Sequence, residues 1–149
     1  MLVADLMRRT VYSCSVTATL NDAARIMWEH RVGCVPVLAD GGHVVGIVTD
    51  RDVCMGAYTS GARLAAIAVT ASMSRKVVCC RPTQTLRDVE ELMRSHQIRR
   101  LPVVDDPGRL LGLVSLDDIA RHMRPSWDGA GGLGADAIAL TLASVAERA

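Results

Sequence analysis

A shift of 66 positions aligns residues 1–54 with residues 67–120 without a gap and with 18 identities. The pairs include Val3/Val69, Met7/Met73, Thr19/Thr85, Asp22/Asp88, Met27/Met93, Pro36/Pro102, Gly46/Gly112 and Asp52/Asp118. A third of positions identical, with no insertion, means two copies of one structural unit followed by a tail. This constrains the fold more than any other feature. A unit of about 55 residues buries too little surface to stand alone comfortably. Two such units packed sheet to sheet remove that difficulty.

Each copy carries the same order of local signals. Thr19 and Thr85 precede amphipathic stretches and have Asp22 and Asp88 three residues on. That spacing lets hydroxyl and carboxylate satisfy the free N–H groups of a helix start. The spacing predicts helices over 21–31 and 87–97, with Leu20, Ala23, Ile26 and Met27 on one face of the first and Leu86, Val89, Leu92 and Met93 on one face of the second. Short apolar strands follow at 35–38 and 101–104. Turns at Asp40-Gly41-Gly42 and Asp105-Asp106-Pro107-Gly108 lead to strands at 44–48 and 110–114. Thr49 and Ser115 then open further helices, and 11–13 and 77–79 are candidate first strands. The order is β-α-β-β-α, an α+β class with a sandwich-like arrangement.

Half of the residues are hydrophobic but only 3% are aromatic, with no Phe. Aliphatic and Met side chains must therefore make the core. The formal charge of +1, from 17 basic and 16 acidic residues, argues against a nucleic-acid partner and against attraction to a membrane surface. Asp5 interrupts the apolar N-terminal stretch, so no secretory signal is expected. No run is long enough for a transmembrane helix. Five cysteines (Cys14, Cys34, Cys54, Cys79, Cys80) without C-x-x-C spacing point to reduced thiols and a cytoplasmic location.

The most specific segments are Gly46-Ile47-Val48-Thr49-Asp50-Arg51-Asp52-Val53 and Gly112-Leu113-Val114-Ser115-Leu116-Asp117-Asp118-Ile119. They resemble the closing motif of CBS domains, and Val35-Pro36-Val37 and Leu101-Pro102-Val103-Val104 resemble that family's upstream strand. The resemblance covers residues 1–123, as two motif sets in tandem, the pair known as a Bateman module. It implies two repeats packed with pseudo-twofold symmetry, an adenosyl ligand such as AMP, ADP, ATP or S-adenosylmethionine, a further assembly into homodimers, and regulation of an effector protein rather than catalysis. Repeat 1 is taken as 1–57, the linker as 58–68, repeat 2 as 69–123, and a Gly-containing linker with a terminal helix as 124–149.

Thr49 and Ser115 stand at strand-to-helix junctions, where free N–H groups and a hydroxyl suit phosphate oxygens. Asp52 and Asp118, one turn on, offer carboxylates that match a ribose diol. An equally coherent reading makes Thr49-x-x-Asp52 and Ser115-x-x-Asp118 helix caps that need no ligand. Arg99 and Arg100 precede a buried-looking strand; with Arg51 they suit phosphate near Asp52 through charge-assisted bonds, or they form a solvated basic face. Repeat 1 has Gly33 and Cys34 at the matching positions. Asp117 repels phosphate at the second junction. Strand residues near 11–13, Val35 and Leu101 are expected to bound an adenine slot.

No nucleophile–base pair, phosphate loop or metal-spaced cluster is present. The functional expectation is an adenosyl-responsive regulatory module with no obligatory cofactor, no metal and no catalytic residue. The alternative is a ligand-independent dimerisation or interaction scaffold. His30 and His96 recur at helix ends, and the repeat-equivalent methionines are expected in the core with most cysteines. Trp28 lies off the apolar stripe. A terminal helix over 137–148, capped by Asp136 and apolar at Ile138, Leu142 and Val145, is expected to dock on this chain, a second copy or a partner.

Overall fold

In a computed structural model, residues 1–122 and 135–146 are described. In chain order the elements are α1 (Val3–Leu6), β1 (Cys14–Ser15), α2 (Leu20–His30), β2 (Cys34–Leu38), β3 (Val44–Thr49), α3 (Asp50–Ser60), α4 (Leu86–His96), β4 (Arg100–Val104), β5 (Leu110–Ser115), α5 (Leu116–His122) and α6 (Ala135–Ala146). Strand β1 runs parallel to β2, which pairs antiparallel with β3; β4 and β5 form a second small sheet.

The long helices begin one residue before the positions expected, because Thr19 and Thr85 are themselves the N-caps. They also end one residue earlier. Arg31 and Gln97 adopt a left-handed φ of 53°, a conformation usually left to glycine. The first strands lie later than 11–13 and 77–79. Cys14 pairs with Val37 in β2, and Cys80 makes the matching parallel bridge to Val103 in β4. In each case the thiol that pairs with the central strand is the buried one.

Two compact units divide the chain differently from the repeats. One comprises Met1–Arg9, Val78–Asp106 and Leu111–Ala149; the other comprises Thr10–Val77 and Pro107–Leu110. In the first, Val3 N–H donates to Gln84 O at 2.9 Å, and Arg8 and Leu113 exchange backbone hydrogen bonds of 2.9 Å. Val3, Leu6 and Met7 are buried there among Val89, Met93 and Leu101. In the second unit, Val69 N–H donates to Ala18 O at 2.9 Å, and Ser74 and Ile47 exchange bonds of 2.9 and 3.1 Å. Val69 and Met73 are buried with Leu20, Val35 and Val48. The hydrogen bonds, and the burial of Val3 and Met7, map onto their counterparts after the 66-residue shift. The leader of each repeat thus completes the unit that holds the other repeat's hairpin.

Helix α6 packs against α4 in the first unit. Ser144 Oγ donates to Arg94 O at 3.5 Å, and Gln97 Nε2 donates to Ser144 O at 3.4 Å. Of the residues expected on the apolar face of this helix, Leu142 is 48% exposed, whereas Thr141 is buried. The side chains of Asp136, Ile138 and Val145, and the glycine-bearing stretch 125–134, lie outside the described residues. Helix α3 ends at Gly61, whose φ of 64° closes it, and the linker holds a 3-10 turn at Leu64–Ala66. Among the described residues, no helix is long and apolar enough to cross a membrane.

Met7, Met27, Met73 and Met93 are all buried, Trp28 is exposed, and the His30 ring stacks on Tyr12 with centroids 3.6 Å apart. The cysteines separate into two kinds. Cys14, Cys34 and Cys80 are buried; Cys54 is exposed. Burial, then the Asp22 charge, pushes the Cys14 thiol up to about 11, and burial, then Cys79, pushes Cys80 up to about 12. Because the thiolate is the nucleophile, an aromatic disulfide reagent at pH 8 is expected to modify Cys54 rapidly and to reach Cys14 and Cys80 only after unfolding. Mass-spectrometric mapping of the modified thiols checks this; equal labelling of Cys80 and Cys54 in the folded chain would contradict the packing.

Candidate functional site

Four helix starts carry one device. At Thr19, Thr49, Thr85 and Ser115 the cap hydroxyl donates to Oδ2 of the Asp three residues on, at 2.8, 2.8, 2.7 and 2.5 Å. The cap N–H donates to the same oxygen at 2.8–3.1 Å. The Asp N–H returns a bond to the hydroxyl at 3.2–3.3 Å. Such a cap contributes about 1 kcal/mol to stability. The Thr19 backbone N–H, then its hydroxyl, holds Asp22 below the usual carboxylate range; at Asp88 the Thr85 hydroxyl leads.

The closing-motif residues therefore do serve as caps, with Oδ2 and the hydroxyl engaged. What distinguishes Asp52 and Asp118 is the remaining oxygen, Oδ1. Asp118 is buried, and its Oδ1 accepts a hydrogen bond from Arg8 Nε at 2.7 Å, with Arg121 Nη1 at 3.9 Å. Asp52 is half-buried. Among the described residues no protein group pairs with its Oδ1. The residue equivalent to Arg8 in the other repeat is Ser74, which is exposed and too short to make that contact.

Arg8 is the site residue that sequence reasoning did not single out. Its signal was present as a mismatch. The leaders agree at Val3/Val69, Met7/Met73 and Arg9/Arg75 but differ at Arg8/Ser74.

The other candidates fall into the two units as follows. Thr49, Arg51 and Asp52 belong to the unit built on Thr10–Val77. Arg51 is exposed, and its N–H donates to Asp50 Oδ1 at 2.8 Å. Arg99, Arg100, Ser115 and Asp118 belong to the other unit. Arg99 is exposed, and its carbonyl accepts from Leu116 N–H at 2.9 Å, which ties it to the Ser115 junction; Arg100 is half-buried. Asp117 is exposed. Val35 and Leu101, whose strand segments are expected to bound an adenine slot, turn fully buried side chains into the two cores. Among the described residues, no group of three or more His, Cys, Asp and Glu side chains is placed to hold a metal ion.

Comparison with known proteins bears on this geometry. The sequence pattern of the CBS domain matches residues 3–56 and 66–125. The CBS domain-containing protein YhcV of Bacillus subtilis (strain 168) is 39% identical over 118 residues, which cover 79% of this chain and 82% of that protein. Among solved structures, the CBS domain pair of protein MJ0100, in complex with 5′-methylthioadenosine and S-adenosyl-L-methionine, superposes with a TM-score of 0.73 at 26% identity, covering 81% of this chain and 94% of that one. CBSX2 in complex with AMP gives 0.71 at 26% identity, covering 80% and 93%.

Proposed function

The chain belongs to the CBS domain family, and on that premise we propose that it is a regulatory module that binds an adenosyl ligand and modulates a partner protein. The ligands of the solved relatives MJ0100 and CBSX2 share an adenosine group. One observation carries the proposal for this chain. Asp52 is held in place by the Thr49 cap while its Oδ1 meets no partner among the described residues, so a fixed acceptor is offered to a ribose diol. In one unit Thr49 contributes the junction, Asp52 the carboxylate and Arg51 a cation; in the other, Ser115, Asp118 and the cations Arg99 and Arg100 are the corresponding parts, the cations suiting the phosphates of AMP, ADP or ATP. S-adenosylmethionine would use the same carboxylate without those cations. The effector protein and assembly into a homodimer belong to the same reading.

Calorimetric titration of the full chain with AMP, ADP, ATP, S-adenosylmethionine and NAD tests it. At least one adenosyl compound is expected to bind. Asp52→Ala is expected to weaken that binding at least about tenfold, the worth of one lost charge-assisted hydrogen bond. Asp22→Ala removes an identical cap outside the motif and is expected to leave affinity unchanged. Absence of binding by a folded sample at millimolar ligand would sink the proposal, and equal losses in both variants would reduce Asp52 to a cap.

A further inference from the structure

The two closing motifs are alike in sequence but not in the state of their second carboxylate oxygen. We propose that Arg8 is a specificity-determining residue that latches Asp118, so that Asp52 is the ribose-binding carboxylate of the resting chain and Asp118 is withheld. This rests on the adenosyl-binding reading above.

Arg8 Nε approaches Asp118 Oδ1 at 2.7 Å, and Ser115 already holds Oδ2. Both oxygens of a carboxylate that is only 7% exposed are thus engaged. A ribose hydroxyl would have to displace a charge-assisted bond and leave a guanidinium without its partner. Among the described residues nothing comparable guards Asp52. Ser74 sits where Arg8 sits: its backbone exchanges hydrogen bonds with Ile47, as that of Arg8 does with Leu113. Gly46 and Gly112 lie beside these pairs, under Met73 and Met7 respectively. The two leaders are therefore seated alike on their sheets, and one side chain accounts for the difference. The latch is also one that can open, since the Arg8 side chain is 50% exposed.

The equivalence supplies a reciprocal test. AMP is titrated calorimetrically into the full-length wild type, Arg8→Ala and Ser74→Arg. The wild type is expected to bind one equivalent. Arg8→Ala is expected to bind two. Ser74→Arg, a change at an exposed position that does not disturb a core, is expected to latch Asp52 and weaken the wild-type event at least about tenfold. Two equivalents bound by the wild type, or unchanged affinity in Ser74→Arg, would overturn the latch while leaving adenosyl binding intact. A folded Arg8→Ala chain that still binds one equivalent would overturn it as well. Absence of AMP binding in all three chains, with no adenosyl compound bound by the wild type, overturns the adenosyl reading and the latch together.

Discussion

A chain lacking Met1–Arg9 is expected to lose the fold of the second repeat and to keep that of the first. The effect acts far along the chain because the leader belongs to the unit of Val78–Asp106 and Leu111–Ala149. Val3 is fully buried there, with Leu6 at 5% and Met7 at 9% exposure. Burying an aliphatic or Met side chain contributes about 1.5–3 kcal/mol. Loss of all three is comparable with the ~5–15 kcal/mol that holds a typical domain together. The truncation also leaves Leu113 N–H and the Gln84 carbonyl without their partners at 2.9 Å. The first repeat keeps the leader that completes it, because Val69, Met73 and Ser74 are still present. Hydrogen exchange reads the difference directly. Amides of α4 and β4 are expected to lose protection, while those of α2 and β2 retain it. Uniform loss, or loss confined to the first repeat, would show that the leader is seated elsewhere.

The second large effect is expected from Gly112→Ala. A Cβ at this position would lie 2.8 Å from the Arg8 carbonyl oxygen and 2.9 Å from Met7 Sδ. The backbone oxygen is fixed by its bond to Leu113, so the leader strand itself must move. Overpacking of this kind costs about 1–3 kcal/mol. The equivalent change, Gly46→Ala, meets Met73 Sδ at 2.3 Å and Cγ at 2.9 Å. Those are atoms of a flexible side chain that can change rotamer. Gly46→Ala is therefore expected to cost clearly less, although its nearest contact is shorter. Urea unfolding of both variants, compared by midpoint at unchanged m, decides the matter. Equal costs, or a larger one at Gly46, would contradict the difference between a backbone and a side-chain obstacle.

Much of this was legible in advance because it is local. Thr19 and Asp22, or Ser115 and Asp118, are three residues apart, so cap geometry follows from a single helical turn. The hairpins are equally local, and the 66-residue shift confirms each signal by its repetition. Helix ends were less legible, since Arg31 and Gln97 close their helices without the usual glycine. The terminal helix shows a different limit. Periodicity pointed Leu142 inward, yet Leu140 and Leu142 remain exposed while the polar Thr141 is buried.

The sequence by itself determined that there are two copies of a β-α-β-β-α unit, where the caps fall, and which residue types stand at the two junctions. It could not determine which leader completes which sheet, because the same apolar pattern at Val3/Met7 and at Val69/Met73 fits either sheet. Only the tertiary structure decided that exchange. It also decided that Arg8 meets Asp118 across 110 residues of chain, while Asp52 meets no cation at all among the described residues. The reason is physical. Capping depends on the geometry of one turn, whereas the state of a carboxylate depends on whatever charge the folded chain brings to it.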